Sequence, residues 1–334
     1  MNHRFCARGP LRLAACLVMC VLLSGCGVVQ DVKGKYYLQS KSFEAGAESF
    51  RAELAEDPAN PRANFYLGRF LLAEDKPGEA AKYLKRATQY APDDEDYLFW
   101  LGVARGEAGD TEKERDSYRR VLRMEPGHLG ARLHLAHLQL KAGENEQALD
   151  NYRKVLDKRP YSTQALYNRA LILGRLGRTP EEKTAWKHYL AAWPDGPLAR
   201  LATDHLNDLG DFSYRNHLLG KRKVTLEKLA FQPFKPELWG GSTASLDLVG
   251  EILANAENLD LYVVAYQRNN RELARERALA VRDYLLENFD LPSERVKPSW
   301  FGVAERIKVS GETFEEGQSV NLFAVSANKS GSSL

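Results

Sequence analysis

The sequence predicts an all-α solenoid of paired helices followed by a small α+β domain, behind an N-terminal targeting segment. Three observations predict this arrangement. Prolines recur every 34 residues from Pro58 to Pro194, the period stops after Gly210, and the first 26 residues combine arginines, an apolar run and every cysteine. A length of 334 residues is about right for a targeting segment and two modules.

The composition is that of a folded protein without a nucleic-acid footprint. Apolar residues make up 44%, charged residues 28% and aromatic residues 10% of the chain, which is enough apolar surface to offset the entropy of ordering the backbone. Arg4, Arg8 and Arg12 lie in the targeting segment, and without them 44 basic residues face 45 acidic ones. A chain so close to neutrality lacks the basic stripe that nucleic-acid binding requires.

The N-terminal segment has the layout of a bacterial signal peptide. An apolar run over 13–23 follows the arginines and is too short to span a membrane as a stable helix. It ends in Leu23-Ser24-Gly25-Cys26, which resembles the lipobox, where the cysteine thiol receives diacylglycerol and the chain is cut before it. The resemblance implies a signal peptide over 1–25, lipidation of Cys26 and a lipidated linker over 26–32. The alternative is an ordinary secretory signal with a coincidental cysteine.

Two further expectations follow from the same segment. Gly27 follows the cysteine where an aspartate would retain the protein at the inner membrane, so the lipoprotein resemblance implies an outer-membrane anchor and a periplasm-facing chain. All four cysteines lie within the first 26 residues, at Cys6, Cys16, Cys20 and Cys26. Nothing downstream can therefore form a disulfide or a thiolate metal site.

A 34-residue period organises the chain from residue 33 to Pro194. Small residues and large apolar residues keep the spacing of the prolines, and glycines mark the turn between paired helices. The periodic positions are Pro58, Pro92, Pro126, Pro160 and Pro194; Gly34, Gly68, Gly102, Ala136 and Ala170; Phe50, Leu84, Tyr118, Tyr152 and Trp186; and Gly109, Gly143 and Gly177. This set resembles the tetratricopeptide repeat (TPR), which implies five repeats with a capping helix at 195–209, together covering 33–209.

The repeats depart from the TPR pattern at a few positions. Glu114 and Glu182 stand where the family usually has alanine, and the first repeat is short of its usual first-helix residues. We expect these departures to weaken single repeats without disturbing the period.

The first helix of each repeat lines a concave surface in that family. Two positions on this helix follow the period. The first is occupied by Phe65, Phe99, Leu133 and Tyr167, and the second, one turn later, by Arg69, Val103, His137 and Leu171. We interpret Phe65, Arg69, Phe99, Leu133, His137 and Tyr167 as an aromatic and weakly basic groove for a peptide or helix of another protein. The alternative, that the aromatic side chains pack between neighbouring helices, stays open.

A mixed pattern follows over 210–326. Stretches at 223–226, 259–266 and 319–325 are rich in β-forming residues, and 245–256 and 270–288 show helical spacing. Arg295-Val296 leading to Phe301-Gly302 stands before the last of these stretches. The order strand, helix, strand, helix, strand, strand predicts an α+β module, and 327–334 is expected to be a disordered tail.

The second of these helices resembles that of the outer-membrane-protein-A-like (OmpA-like) domain. The family pattern is Asn, two residues, Leu-Ser, two residues, Arg-Ala, two residues, Val, and the run from Asn270 to Val281 matches it except for Ala274. In that family an arginine on this helix receives the carboxylate of peptidoglycan diaminopimelate, and an aspartate after the second strand holds the amine. Arg277 matches the arginine.

The other ligand-binding residues of the family are absent. Residues 265–268, Ala-Tyr-Gln-Arg, stand where the family has Gly-His-Thr-Asp, and Gln318-Ser319 replace a pair of arginines. The resemblance implies peptidoglycan association through Arg277, Tyr266 and Asn270. The alternatives are that Arg277 forms an internal ion pair, and that the domain has become a protein-binding module.

No motif for catalysis, cofactor binding or metal binding is present in the sequence. We therefore expect no enzyme, no cofactor and no metal, but an outer-membrane lipoprotein scaffold that binds an envelope protein through its TPR groove and peptidoglycan through its last domain. The alternative is an assembly factor of a secretion, pilus or polysaccharide-export complex whose last domain is a protein adaptor.

Overall fold

The computed structural model describes residues 28–326. The signal peptide, Cys26 and the tail expected over 327–334 lie outside the described residues. Within 28–326, none of the helices combines the length and apolar character that a bilayer span requires. The chain divides into two compact units, one ending at Val155 and the other beginning at Leu156.

The described part of the first unit, 28–155, consists of helices joined by short turns. They are α1 (28–39), α2 (Phe43–Glu56), α3 (Pro61–Ala73), α4 (Pro77–Tyr90), α5 (Glu95–Glu107), α6 (Thr111–Met124), α7 (Leu129–Lys141) and nearly all of α8 (Asn145–Leu156). Each helix from α2 to α6 packs against the one that follows it. Residues 28–32, expected in a linker, form the first turns of α1, because Asp31 accepts a hydrogen bond from the Tyr66 hydroxyl at 3.2 Å and pairs with Arg62 at 3.4 Å.

The period of 34 extends to the helix N-caps. Asn60, Asp94 and His128 each lie two residues after a periodic proline. Each accepts a hydrogen bond at 3.0 Å from the backbone N–H three residues later. The proline therefore ends one helix and the cap begins the next, which satisfies an otherwise unpaired donor of the first turn.

The turns inside the helix pairs also recur every 34 residues. Their common feature is a left-handed residue, with φ between 55° and 84°, at Lys41, Asp75, Gly109, Gly143 and Gly177. Glycine adopts this conformation freely, whereas a side chain there costs on the order of 1 kcal/mol. The first two repeats therefore carry backbone strain that the later ones avoid.

The periodic small residues allow helices to approach closely. A Cβ atom on Gly68 would lie 2.5 Å from Cγ of Leu84, and one on Gly102 would lie 2.7 Å from Cε1 of Tyr118. The periodic large residues are all fully buried, at Phe50, Leu84, Tyr118, Tyr152 and Trp186. Close helix packing at the small residues and burial of the large ones agree with the TPR resemblance.

The second unit contains further helices and a sheet. Its helices are α9 (Thr163–Arg175), α10 (Thr179–Ala192), α11 (Pro197–Asp208), α12 (Thr243–Ala254) and α13 (Arg271–Asn288). α11 lies within the segment expected to cap the repeats and packs on α10, where the rings of Trp186 and His205 are stacked with centroids 5.0 Å apart.

Between α11 and residue 326, where the described part of the chain ends, there are seven strands. They are β1 (Tyr214–Leu219), β2 (Arg222–Glu227), β3 (Leu259–Gln267), β4 (Val296–Phe301), β5 (Glu305–Val309), β6 (Glu312–Glu316) and β7 (Gln318–Ser326). Five form a sheet in the order β2-β1-β7-β3-β4, in which β3 is parallel to β4 and antiparallel to β7. Residues of α12 and α13 share a buried apolar core with the sheet. The α+β class agrees with the prediction, but β1, β5 and β6 were not predicted.

α11 also packs on the sheet. Val224 and Leu226 of β2 point into the core shared with α12 and α13, so Thr225 between them points to the opposite face. There the Thr203 hydroxyl of α11 donates to the Thr225 hydroxyl at 3.4 Å. α11 and the sheet therefore belong to the same compact unit, although the sequence places a domain boundary between them, at 209/210.

Strands β5 and β6 form a hairpin that is held on the sheet by a polar cluster. Nη1 of Arg215 donates to both carboxylate oxygens of Glu305, at 2.8 and 2.9 Å, and to Oδ1 of Asn321 at 2.7 Å. The Ser319 hydroxyl donates to Glu305 at 2.6 Å. Burial alone would raise the pKa of Glu305, but these hydrogen bonds and the charge of Arg215 lower it below its usual range.

Candidate protein-binding surface

The six residues expected to line a groove lie on the first helices of the pairs. Phe65 and Arg69 are on α3, Phe99 is on α5, Leu133 and His137 are on α7, and Tyr167 is on α9. All are half-buried except Phe65, which is 8% exposed.

Phe65 belongs to the packing between helices. Its ring stacks on Tyr97 with centroids 4.6 Å apart and meets the edge of Tyr66 at 5.1 Å. The expectation that Phe65 lines an exposed groove is wrong, because its ring fills the interface between α3 and α5.

Phe99 and Tyr167 are half-buried among other rings. Phe99 contacts the rings of His128, His134 and Tyr118 at centroid distances between 4.8 and 5.8 Å. Tyr167 meets Trp186 edge-on at 5.1 Å. Both rings therefore take part in the packing between helices. This is the alternative to groove lining that the sequence left open.

Arg69 is a cation that has no hydrogen-bonded or ion-paired partner among the described residues. Its guanidinium carbon lies 3.4 Å from the centroid of the Trp100 ring and 5.6 Å from that of Phe65. Within residues 28–326 it makes no hydrogen bond or ion pair, so its N–H donors are available. Burial lowers the pKa of Arg69 to about 10, while Tyr66 and Asp96 act in the opposite direction. The side chain stays charged at neutral pH.

Trp100 is the residue that sequence reasoning misses. It occupies a position where aromatic rings recur every 34 residues, at Tyr66, Trp100 and His134. The period therefore contains the signal, one residue beyond Phe65 and Phe99. Trp100 supplies the flat, half-buried face on which Arg69 is held.

His137 does not contribute positive charge at neutral pH. Burial, with help from His134 and Lys141, lowers the pKa of His137 to about 4, and burial also lowers the pKa of His134. The imidazole of His137 lies 5.6 Å from the ring of Tyr152. The basic character expected of this surface therefore comes from Arg69 and not from His137. In the described part of the chain no three His, Cys, Asp or Glu residues group as metal ligands would.

Arg277, the expected carboxylate receptor, is enclosed by neutral groups. It is 3% exposed, and its Nε donates to the carbonyl of Lys235 at 3.1 Å. Its Nη1 donates to the amide oxygens of Gln267 at 2.7 Å and Gln318 at 3.0 Å. No carboxylate among the described residues pairs with it, so the internal ion pair considered as an alternative is absent there. The adjoining cavity, also lined by Phe231, has a volume of about 10 Å³, which is room for one water.

Tyr266 cannot join Arg277 in one site. Gln267 contacts Arg277 on the face of the sheet that carries α13, and side chains alternate along a strand, so Tyr266 points to the other face. There its ring stacks on Phe301 at a centroid distance of 5.2 Å. The prediction that both residues hold one ligand is wrong.

Asn270 and Arg268 have local roles in the structure. Oδ1 of Asn270 accepts a hydrogen bond at 3.0 Å from the backbone N–H of Leu273, so Asn270 caps α13. Arg268, at the position where the OmpA-like family has its aspartate, pairs with Glu315 of the hairpin at 3.0 Å. Neither side chain contacts Arg277.

Comparison with known proteins supports the repeat assignment. Family models described as tetratricopeptide repeat match residues 37–98, 71–128 and 133–197. The chain therefore contains TPR repeats, which are protein-interaction scaffolds. No curated protein matches the chain.

Solved structures similar to this chain include PilF of Pseudomonas aeruginosa, which is 17% identical, with 56% of this chain and 86% of that chain covered and a TM-score of 0.50. YrrB, described as a TPR protein with an unusual peptide-binding site, is 16% identical, with 51% and 88% covered and a TM-score of 0.45. MamA is 19% identical, with 48% and 93% covered and a TM-score of 0.45. At such identities the similarity concerns the fold alone.

Proposed function

We propose that this protein is a non-catalytic lipoprotein scaffold, anchored to the outer membrane through acyl chains on Cys26 and facing the periplasm. Its TPR repeats bind an envelope protein partner. The lipobox-like run before Cys26 supports the anchor, since several acyl chains on one residue bind a bilayer far more stably than one. The repeats support the partner, because stacked helix pairs leave one helix face available for recognition.

The observation that carries the partner-binding proposal is the state of Arg69. A guanidinium held on an aromatic face, with no acceptor among the described residues, is preorganised for a carboxylate. Val103, one repeat further on, is half-buried and offers an apolar neighbour. The partner segment that suits this surface presents an acidic side chain at Arg69 and an apolar one beside it.

Crosslinking from Val103 in cells tests this proposal. A photo-reactive amino acid at position 103 should capture a protein in the native envelope, and Arg69→Gln should reduce the yield about tenfold, as expected for loss of a charge-assisted bidentate contact. Arg119→Gln is the matched control, because Arg119 is an exposed arginine on the second helix of a pair. Equal yields from the two variants, or no captured protein, would reject the role of this surface.

For the strand-rich part of the chain, we propose the role of a protein adaptor within an assembly complex of the envelope, in preference to wall binding. The resemblance to the OmpA-like domain favours peptidoglycan. However, Arg277 is bonded to Gln267 and Gln318 and adjoins a cavity of about 10 Å³, too small for a diaminopimelate carboxylate. The loss of the family aspartate points the same way.

Co-sedimentation with purified sacculi separates the two roles. We expect the mature protein to stay in the supernatant and Arg277→Ala to leave this unchanged. Sedimentation with the wall that Arg277→Ala abolishes would instead support peptidoglycan binding. Arg275→Ala is the matched control, because Arg275 is exposed on the same helix, where it pairs with Glu272 and lies 5.9 Å from the centroid of the Trp300 ring.

A further inference from the structure

Helix α1 carries an apolar stripe on its solvent side. The four side chains are between 63% and 65% exposed, at Val28, Val29, Val32 and Tyr36. Successive residues of a helix are turned by about 100°, which places all four within one third of the helix circumference. Gly34 lies on the opposite side and is buried so closely against Tyr66 that a Cβ atom would come within 2.3 Å of its ring. We call Val28, Val29, Val32 and Tyr36 the α1 stripe.

The exposure of the α1 stripe is unusual for the first helix of a repeat array. The outer face of a terminal repeat is normally polar, because no further repeat covers it. Scattered exposed apolar residues are common on protein surfaces, but four contiguous ones on one helix face indicate a contact with something apolar.

The position of the α1 stripe in the chain indicates what it contacts. Only Gly27 separates Val28 from Cys26, the lipidation site of the proposed anchor. At a maximum of about 3.6 Å per residue, the stripe begins within about 7 Å of the acylated residue. Lys35, exposed on the same helix, lies at the margin of the stripe, where a lysine can reach lipid phosphates.

We infer that the α1 stripe lies against the lipid surface of the membrane and that α1 is an interfacial helix that orients the scaffold at its anchor. This inference rests on the proposed lipid anchor. A contact of four side chains is too weak to bind a bilayer alone, but the tether keeps it at a high effective concentration. A second copy of the chain fits less well, because four side chains fall short of the roughly 800 Å² per partner of a stable interface.

Depth-dependent quenching tests the contact without relying on lipidation in the cell. The chain from Cys26 onward, produced without lipid, contains a single cysteine and can be coupled to maleimide lipids in phosphatidylethanolamine–phosphatidylglycerol vesicles. Tyr36→Trp reports on the stripe. Tyr90→Trp is the matched control, since Tyr90 is 50% exposed on α4, outside the stripe.

We expect brominated lipids to quench the added fluorescence of Tyr36→Trp at least roughly twofold more than that of Tyr90→Trp, as burial at the headgroup boundary predicts. Val28→Ser with Val32→Ser should remove most of the difference. Equal quenching of the two reporters would overturn the inference. So would a vesicle-free chain that sediments as a stable dimer and shields the reporter at position 36 from a water-soluble quencher.

Metabolic labelling separates this inference from the anchor on which it rests. Radiolabelled fatty acid should attach to the native chain and not to Cys26→Ser. Absence of label would reject the anchor, whereas labelling combined with equal quenching would reject only the α1 stripe as a membrane contact.

Discussion

Glu182 and Gly174 are complementary in volume across the interface of α9 and α10. A Cβ atom on Gly174 would lie 2.6 Å from Oε1 of Glu182, so a side chain at position 174 would displace this carboxylate from its present position. The same carboxylate oxygen accepts a hydrogen bond from Nε1 of Trp186 at 3.1 Å. Glu182 is 9% exposed and is thus an integrated part of the helix pair.

The same pairing occurs in α5 and α6. A Cβ atom on Gly106 would lie 2.4 Å from the carboxylate carbon of Glu114. Burial raises the pKa of Glu114, and a hydrogen bond with Tyr118 partly offsets the effect. Where the second helix has the usual alanine, at Ala80 and Ala148, the residue eight positions earlier is leucine. The glutamates therefore replace a leucine–alanine pair with a glycine–glutamate pair, and the expectation that they merely weaken their repeats needs revision.

The first prediction is a coupling between positions 174 and 182. Gly174→Leu should destabilise the protein by about 1–3 kcal/mol through overpacking, and Glu182→Ala by a similar amount because it leaves a cavity and an unpaired indole N–H. The double variant recreates the leucine–alanine pair found in other repeats. Its free energy of unfolding in urea should exceed the additive value by at least about 1 kcal/mol. Additive effects would show that the two positions do not compensate each other.

The second prediction concerns the strained turn at Asp75. Its φ of 59° is the left-handed conformation that Gly109, Gly143 and Gly177 adopt at the equivalent positions. Asp75→Gly should therefore stabilise the protein by about 0.5–1 kcal/mol, since the relief of strain exceeds the added entropy of the unfolded chain. Asp75→Ala, the matched control, keeps a Cβ atom and should not stabilise. Thermal unfolding measures both, and a lower melting temperature for Asp75→Gly would contradict the argument.

Much of the helical fold could be predicted because its physical determinants repeat. Proline, the small residue and the large residue recur at fixed spacing, so a repeat that departs from the pattern can still be recognised from its neighbours. The same regularity explains why Trp100 was missed, since periodicity alone does not distinguish rings that are buried in the packing, such as Phe65 and Tyr66, from a half-buried ring such as Trp100.

The strand-rich part offered no such redundancy. β1 reads Tyr-Arg-Asn-His-Leu-Leu, in which the polar residues conceal a strand. Asn216 and Arg215 are tolerated there because α11 and the hairpin supply their hydrogen-bond partners. Those partners come from 16 and 90 residues away in sequence and cannot be inferred from the local pattern. The hydrogen bonds that enclose Arg277 likewise come from three separate segments of the chain, at Lys235, Gln267 and Gln318.

The third prediction is a loss of stability in mild acid to which His137 contributes. Burial lowers the pKa of His137 to about 4 in the folded state, whereas an unfolded histidine titrates near pH 6.5. The unfolded chain therefore binds more protons between these values, so stability falls as the pH decreases from about 6.5 towards 4. His137→Gln should flatten this slope in urea titrations at a series of pH values.

His188→Gln is the control for this pH dependence, because His188 is exposed on α10. It should leave the slope as in the unmodified protein. An unchanged slope for His137→Gln would show that His137 does not contribute to the acid sensitivity.

The fourth prediction compares two carboxylates of the β5–β6 hairpin. The side chains of Arg215 and Glu305 are 15% and 14% exposed, whereas those of Arg306 and Glu315 are 80% and 49% exposed. Glu305→Gln leaves Arg215 buried without a counter-charge and should cost about 3–5 kcal/mol. Glu315→Gln removes an equal charge at the surface and should cost less than about 1 kcal/mol.

The ion pair of Glu305 also makes the hairpin sensitive to acid. Because the folded pKa of Glu305 is lowered, its contribution to stability is present above the unfolded pKa and is lost as pH falls through the folded value. The protection factors of residues 305–316 in hydrogen exchange, which correct for the intrinsic exchange rate at each pH, should therefore fall in Glu305→Gln at neutral pH and in the unmodified protein only in acid. Equal protection in the two variants at neutral pH would show that this ion pair does not hold the hairpin on the sheet.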